Sequence, residues 1–148
     1  MKKMEKKIQI KFDGASKNNP GEAGAGWHIK APEIDYEVKG YEYLGPKKTN
    51  NQAEYTGLKN ALKQVVKDIE NIEQYSVLVQ GDSQLAIKQL NKEFKVKSEN
   101  IRELYHEVVK LVEKIPNIKF EWIPRIQNKT ADALANRAIE TRQTNFNV

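Results

Sequence analysis

The apolar residues of this chain change period after the first third, and that change restricts the fold more than any other feature. Ile8, Ile10 and Phe12 alternate with Lys7, Gln9 and Lys11, the spacing of a strand with one buried face. The segment DGASKNNPG at 13–21 then supplies a dense turn signal. A second strand is predicted over Ala25 to Lys30 and a third around Tyr36 to Tyr43, so the first third of the chain reads as an antiparallel meander. From Gln52 to Ile69 the spacing becomes three and four, through Leu58, Ala61, Leu62, Val65 and Ile69, which is the stripe of an amphipathic helix.

Beyond that point helices and strands alternate. Val77, Leu78 and Val79 form a compact run suited to a buried strand, which Gly81, Asp82 and Ser83 end. Ser83 offers a cap for a helix over Gln84 to Leu90. Ile101, Leu104, Tyr105, Val108, Leu111, Val112 and Ile115 trace a longer helix that Pro116 stops. Ile118, Phe120 and Trp122 alternate as a last strand before Pro124, and Ala131, Leu134, Ala135, Ala138 and Ile139 mark a closing helix. The polar tail from Thr141 is expected to fray. The order βββαβααβα predicts an α/β fold, a mixed sheet with helices on its faces. A length of 148 residues supplies one good core and not comfortably two, so a single domain is expected over 1–148, with its ordered part at about 7–140.

Composition narrows the chemistry. The chain has no cysteine, which removes disulfide frameworks and thiolate zinc sites and fits a cytoplasmic setting. The basic opening run of Met1 to Lys7 leads into an alternating strand pattern and not into the apolar stretch of a secretory signal. No segment is long and apolar enough to cross a bilayer, and no membrane partner is expected. A net charge of +5 leans toward a polyanionic partner, although a solvated lysine-rich surface explains it as well.

Four acids stand where solubility alone does not call for them. Asp13 ends the first strand on the parity of Gln9 and Lys11, off the Ile8/Ile10/Phe12 face. Glu54 steps forward by four, seven, eight and eleven residues onto Leu58, Ala61, Leu62 and Val65, and so lies on the core stripe. Asp82 ends the most apolar strand at its carboxyl end, the edge at which open α/β sheets place their sites. Asp132 opens the last helix beside the buried stripe of Ala135 and Ile139. Singly, each has a structural account: a turn aspartate, a helix-start acid, or a cap. Together they sit at the ends of four elements that converge on one sheet edge.

Two carboxylates about 4 Å apart repel by roughly 4 kcal/mol at an effective dielectric of about 20, so such a cluster calls for cations. With His28 and His106 the only histidines, both remote in sequence from these acids, an all-oxygen set favours magnesium or manganese over zinc. A pair of such ions can activate water on one side of a phosphodiester and stabilise the leaving oxygen on the other.

At these residues the chain resembles the type 1 ribonucleases H over nearly its whole length. The likeness rests on DGASKNNPG at 13–21, TNNQAEYTGL at 49–58, GDSQL at 81–85 and IPRIQNKTADALAN at 123–136. It implies a five-stranded mixed sheet, three antiparallel strands first and then parallel ones, flanked by helices. It also implies a metal-binding catalytic quartet of Asp13, Glu54, Asp82 and Asp132, with two Mg2+ ions that Mn2+ can replace. The implied substrate is an RNA/DNA hybrid, whose RNA strand is cut endonucleolytically to leave 5′-phosphate and 3′-hydroxyl ends. Its 2′-hydroxyls distinguish the two strands. Carried over by position, Asn19, Asn50 and Asn51 face the minor groove and Thr49 binds a phosphate of the DNA strand, while Asn18 is turn chemistry.

Two departures stand out. Arg125 replaces a histidine found in many bacterial members, leaving catalysis to the metals or giving Arg125 a phosphate to steady. The segment from Leu90 to Ser98 lacks a long basic protrusion, for which Lys92, Lys95 and Lys97 are a reduced version or a solvated cluster. No extra hybrid-binding domain is recognised, and a monomer is expected. A non-cleaving nucleic-acid-binding module and a nuclease for another substrate remain the alternatives on such a fold.

Overall fold

A computed structural model describes residues 6–148, so Met1 to Glu5 of the basic opening run lie outside the described residues. Strands β1 (Lys6–Ser16), β2 (Gly21–Ala31) and β3 (Tyr36–Lys48) form the expected antiparallel meander. Helix α1 (Asn50–Asp68) follows, then β4 (Tyr75–Gly81), α2 (Gln84–Leu90), α3 (Glu99–Val112), β5 (Ile118–Trp122) and α4 (Lys129–Thr141). The sheet order is β3-β2-β1-β4-β5, with β4 parallel to both β1 and β5. β1 is therefore central, and the carboxyl ends of β1 and β4 meet at one sheet edge.

The helix starts follow from local chemistry. Thr49 and Gln52 make a reciprocal capping box at the start of α1. Ser83, as expected, accepts from the Ala86 amide at 3.1 Å at the start of α2. The main core lies between the sheet and α1, where Phe12, Trp27, Ile8, Ile10 and Ile29 of the strands meet Tyr55, Leu58 and Leu62. Helices α2 and α3 extend this layer, and α4 covers β1, β2 and β3 on the opposite face.

Two glycines set how closely helices approach the sheet. A Cβ on Gly14 would stand 2.2 Å from the Glu54 amide nitrogen, so only glycine lets the first turn of α1 rest against β1. On the other face, a Cβ on Gly26 would stand 2.4 Å from the Ala131 carbonyl oxygen, and its absence brings α4 onto the strands. Both helices thus present their first turns to the end of β1.

The tail departs from expectation. After Arg142 turns into the left-handed region, the chain runs back along β3 instead of fraying. Tyr41 and Asn145 exchange both backbone hydrogen bonds, at 2.8 and 2.9 Å, and the Val148 amide donates to the Lys39 carbonyl at 2.8 Å. Phe146 stacks at 5.4 Å from the buried ring of Trp27. The physical reason is that β3 is an edge strand with unpaired backbone groups, and the tail pairs them while covering apolar surface.

Candidate active site

Asp13 is the last buried residue of β1 on the α4 face of the sheet, directly across from Gly26. Its Oδ1 accepts from the Gly14 amide at 2.9 Å. Glu54, at the start of the second turn of α1, is held over β1 by the Gly14 contact and is buried, as its place on the core stripe predicts. Asp82 follows β4 directly, with its backbone carbonyl accepting from Trp122 Nε1 at 3.1 Å. Ser83 and not Asp82 caps α2, which leaves the Asp82 carboxylate free of that structural duty.

One ligand oxygen from each of Asp13, Glu54 and Asp82 falls within a set in which no two are more than 4.8 Å apart. Asp132 is not in that set. It lines the same cleft of about 440 Å3, where it accepts from Asn136 Nδ2 at 3.3 Å and stands 3.6 Å from the Arg125 guanidinium. The sequence-expected quartet is thus a compact triad with a fourth carboxylate on its rim.

Burial and mutual repulsion make the triad expensive to ionise. Desolvation raises the Asp13 carboxyl from its ordinary 3.8 to about 7, with further upward pushes from Asp82 and Asp132, against hydrogen bonds from Glu54 and Gly14. Glu54 is raised well above the usual carboxylate range, first by burial and then by Asp13. A positive charge between the two carboxyls would offset both their burial and their mutual repulsion. The Glu54 Oε2 atom is buried without a hydrogen-bond partner among the described residues, so the donor set fits a divalent cation.

The remaining expected residues divide. Asn19 Oδ1 accepts from the Asn50 amide at 2.9 Å, and Asn50 Oδ1 accepts from the Ser16 amide at 2.8 Å, so the two clip the β1–β2 turn to the start of α1. Asn18, at φ 66, is a turn residue as expected. Asn51 is half-buried in the first turn of α1, and the Thr49 hydroxyl is engaged in the capping box. Arg125 is 79% exposed on its side chain and borders the cleft. His28 pairs with Glu37 at 2.6 Å between β2 and β3, outside this cleft.

Sequence reasoning missed Asn128 and Asn136. Asn128 is fully buried, and its Nδ2 donates to the Phe12 carbonyl at 2.9 Å and to Asp82 Oδ2 at 3.2 Å. Asn136 Nδ2 donates to the Asp132 carbonyl oxygen at 2.9 Å as well as to its carboxylate. A signal existed: both lie four residues from Asp132, on the face of α4 that carries it.

A family model described as "Reverse transcriptase-like" matches residues 11–138. The "Bifunctional protein Rv2228c" of Mycobacterium tuberculosis is 36% identical over 137 residues, which cover 90% of this chain and 36% of that protein. The chain therefore spans about a third of the length of the first curated relatives it matches. The "Ribonuclease H" of Herminiimonas arsenicoxydans is 31% identical over 153 residues, 94% of this chain and 99% of that one. Among solved structures, LC11-RNase H1 in complex with an RNA/DNA hybrid superposes with a TM-score of 0.79 at 33% identity, covering 91% of this chain and 98% of that one.

Proposed function

The chain belongs to the ribonuclease H family, and from that premise we propose that it hydrolyses the RNA strand of RNA/DNA hybrids with magnesium at the Asp13, Glu54 and Asp82 cluster. The observation that carries this reading is the convergence of three carboxylates within 4.8 Å in an open cleft, one of them with a buried oxygen that has no hydrogen-bond partner among the described residues. Divalent ions held there, two by the family likeness and replaceable by manganese, would supply an activated water and charge stabilisation at the scissile phosphate.

The chain's own residues supply the rest. Asp13, Glu54 and Asp82 offer oxygen ligands fixed by three separate elements, and Asp132 adds a fourth carboxylate at the rim. Arg125 brings an exposed guanidinium to the same cleft, suited to a phosphate oxygen. With their side-chain oxygens engaged by backbone amides, Asn19 and Asn50 keep their Nδ2 groups as donors to sugar hydroxyls and base edges, and Asn51 stands beside them. Thr49 contributes the capped amino end of α1, which favours a phosphate of the DNA strand. The cysteine-free sequence supports a cytoplasmic protein, and we take it to act as a monomer.

The test is gel analysis of an end-labelled RNA/DNA hybrid incubated with and without magnesium, beside RNA duplex, DNA duplex and single-stranded RNA. Metal-dependent cutting of the hybrid's RNA strand alone is expected, and its loss in Asp82→Asn. The metal-free variant should melt at or slightly above the wild-type temperature, because one repelling charge is gone. Retained binding without cutting in either magnesium or manganese would replace the nuclease with a non-cleaving hybrid-binding module.

A further inference from the structure

Asn128 occupies the N-cap position of α4, where an asparagine ordinarily accepts from the helix's free amides. Its side chain makes no capping hydrogen bond. The amide is turned inward instead, and its Nδ2 bridges the Phe12 carbonyl of β1 and the Asp82 carboxylate after β4. The Oδ1 atom is buried without a partner among the described residues, an arrangement that costs stability. A side chain chosen for stability alone would cap α4 and avoid that cost.

The geometry says what is gained in its place. Phe12 immediately precedes Asp13, so one amide nitrogen ties the strand that bears Asp13 to the carboxylate of Asp82. It occupies one oxygen of Asp82 with a neutral donor and so fixes the carboxylate's rotation. It adds no competing positive charge.

We propose that Asn128 is a positioning residue that orients the Asp82 carboxylate toward Asp13 and Glu54 for a divalent cation. The inference rests on the metal-dependent reading of the site given above. Residues that orient a metal-binding side chain typically contribute 10- to 100-fold to metal affinity when removed.

The experiment is titration of the full chain with manganese in the absence of nucleic acid, read as the metal-induced rise in melting temperature. The variants are Asn128→Ala and Asn128→Ser; the second keeps a small donor and carries the test if the alanine variant does not fold. The apparent Kd for manganese should rise about tenfold or more in Asn128→Ala and by less in Asn128→Ser. A lower metal-free melting temperature with a Kd within about twofold of wild type would make Asn128 merely structural and overturn the proposal. A wild-type protein that manganese does not stabilise would overturn the site reading and the proposal together.

Discussion

Asp13 carries the clearest consequence at the scale of one residue. Burial raises its folded pKa to about 7, far above the value of the unfolded chain, so the native state keeps a proton that the unfolded state has lost. An acid shifted in this direction weakens the metal-free fold as pH rises from about 4, and the full penalty, on the order of 4 kcal/mol, is present above about 7. Asp13→Asn should therefore match wild type in melting temperature near pH 4 and exceed it increasingly up to pH 8, in chelator and without metal. An advantage constant across that range would mean that the Asp13 proton is not linked to folding. Cation binding has the complementary sign: it must displace this proton, so affinity should strengthen toward pH 8. The residue's place was legible in the sequence as an acid ending the first strand on the parity of Gln9 and Lys11, off the apolar face. Its protonation was not, because that depends first on burial and then on Asp82, 69 positions away and brought close only by folding.

At the scale of elements, the site is the meeting of two helix starts with two strand ends, and backbone proximity decides whether they meet. The Gly26 position is the sharpest test, since a methyl group there runs into the Ala131 carbonyl oxygen and the Ala135 amide nitrogen, at 2.4 and 2.6 Å. Gly26→Ala should push α4 off the sheet at a cost of about 1–3 kcal/mol, a fall of roughly 3–10 °C in melting temperature. It should also weaken hybrid cleavage, because Asp132 and Asn128 ride on that helix start. A variant with wild-type melting and cleavage would show that the helix accommodates the methyl without moving. Helical stepping from Glu54 onto Leu58, Ala61 and Leu62 had already placed its carboxylate inward, and the buried residue bears this out. The same reasoning applied to Asp132 puts it on the correct helix turn without revealing that it stands outside the compact triad.

At the scale of the whole molecule, the tail closes the sheet. Residues 144–148 pair with the free edge of β3 and lay Phe146 against Trp27, while the Thr144 hydroxyl accepts from the Tyr43 amide at 3.0 Å. Removing residues 143–148 should lower the melting temperature by several degrees and expose a strand edge, seen as concentration-dependent light scattering, with cleavage by the folded protein retained. Unchanged melting would return the tail to the frayed segment that its polarity implies. The sequence by itself determined the order of elements, the mixed sheet, the Ser83 cap and the four acids at element ends, because period, turn chemistry and capping are carried by neighbouring residues. Only the tertiary structure decided that Asn128 abandons its cap for Asp82, that Asp132 stands at the rim, and that the tail seals β3. The first and last of those outcomes rest on contacts between residues 46 to 116 positions apart, and the place of Asp132 on how α4 docks against the sheet, so their energies exist only once the sheet has brought the partners together.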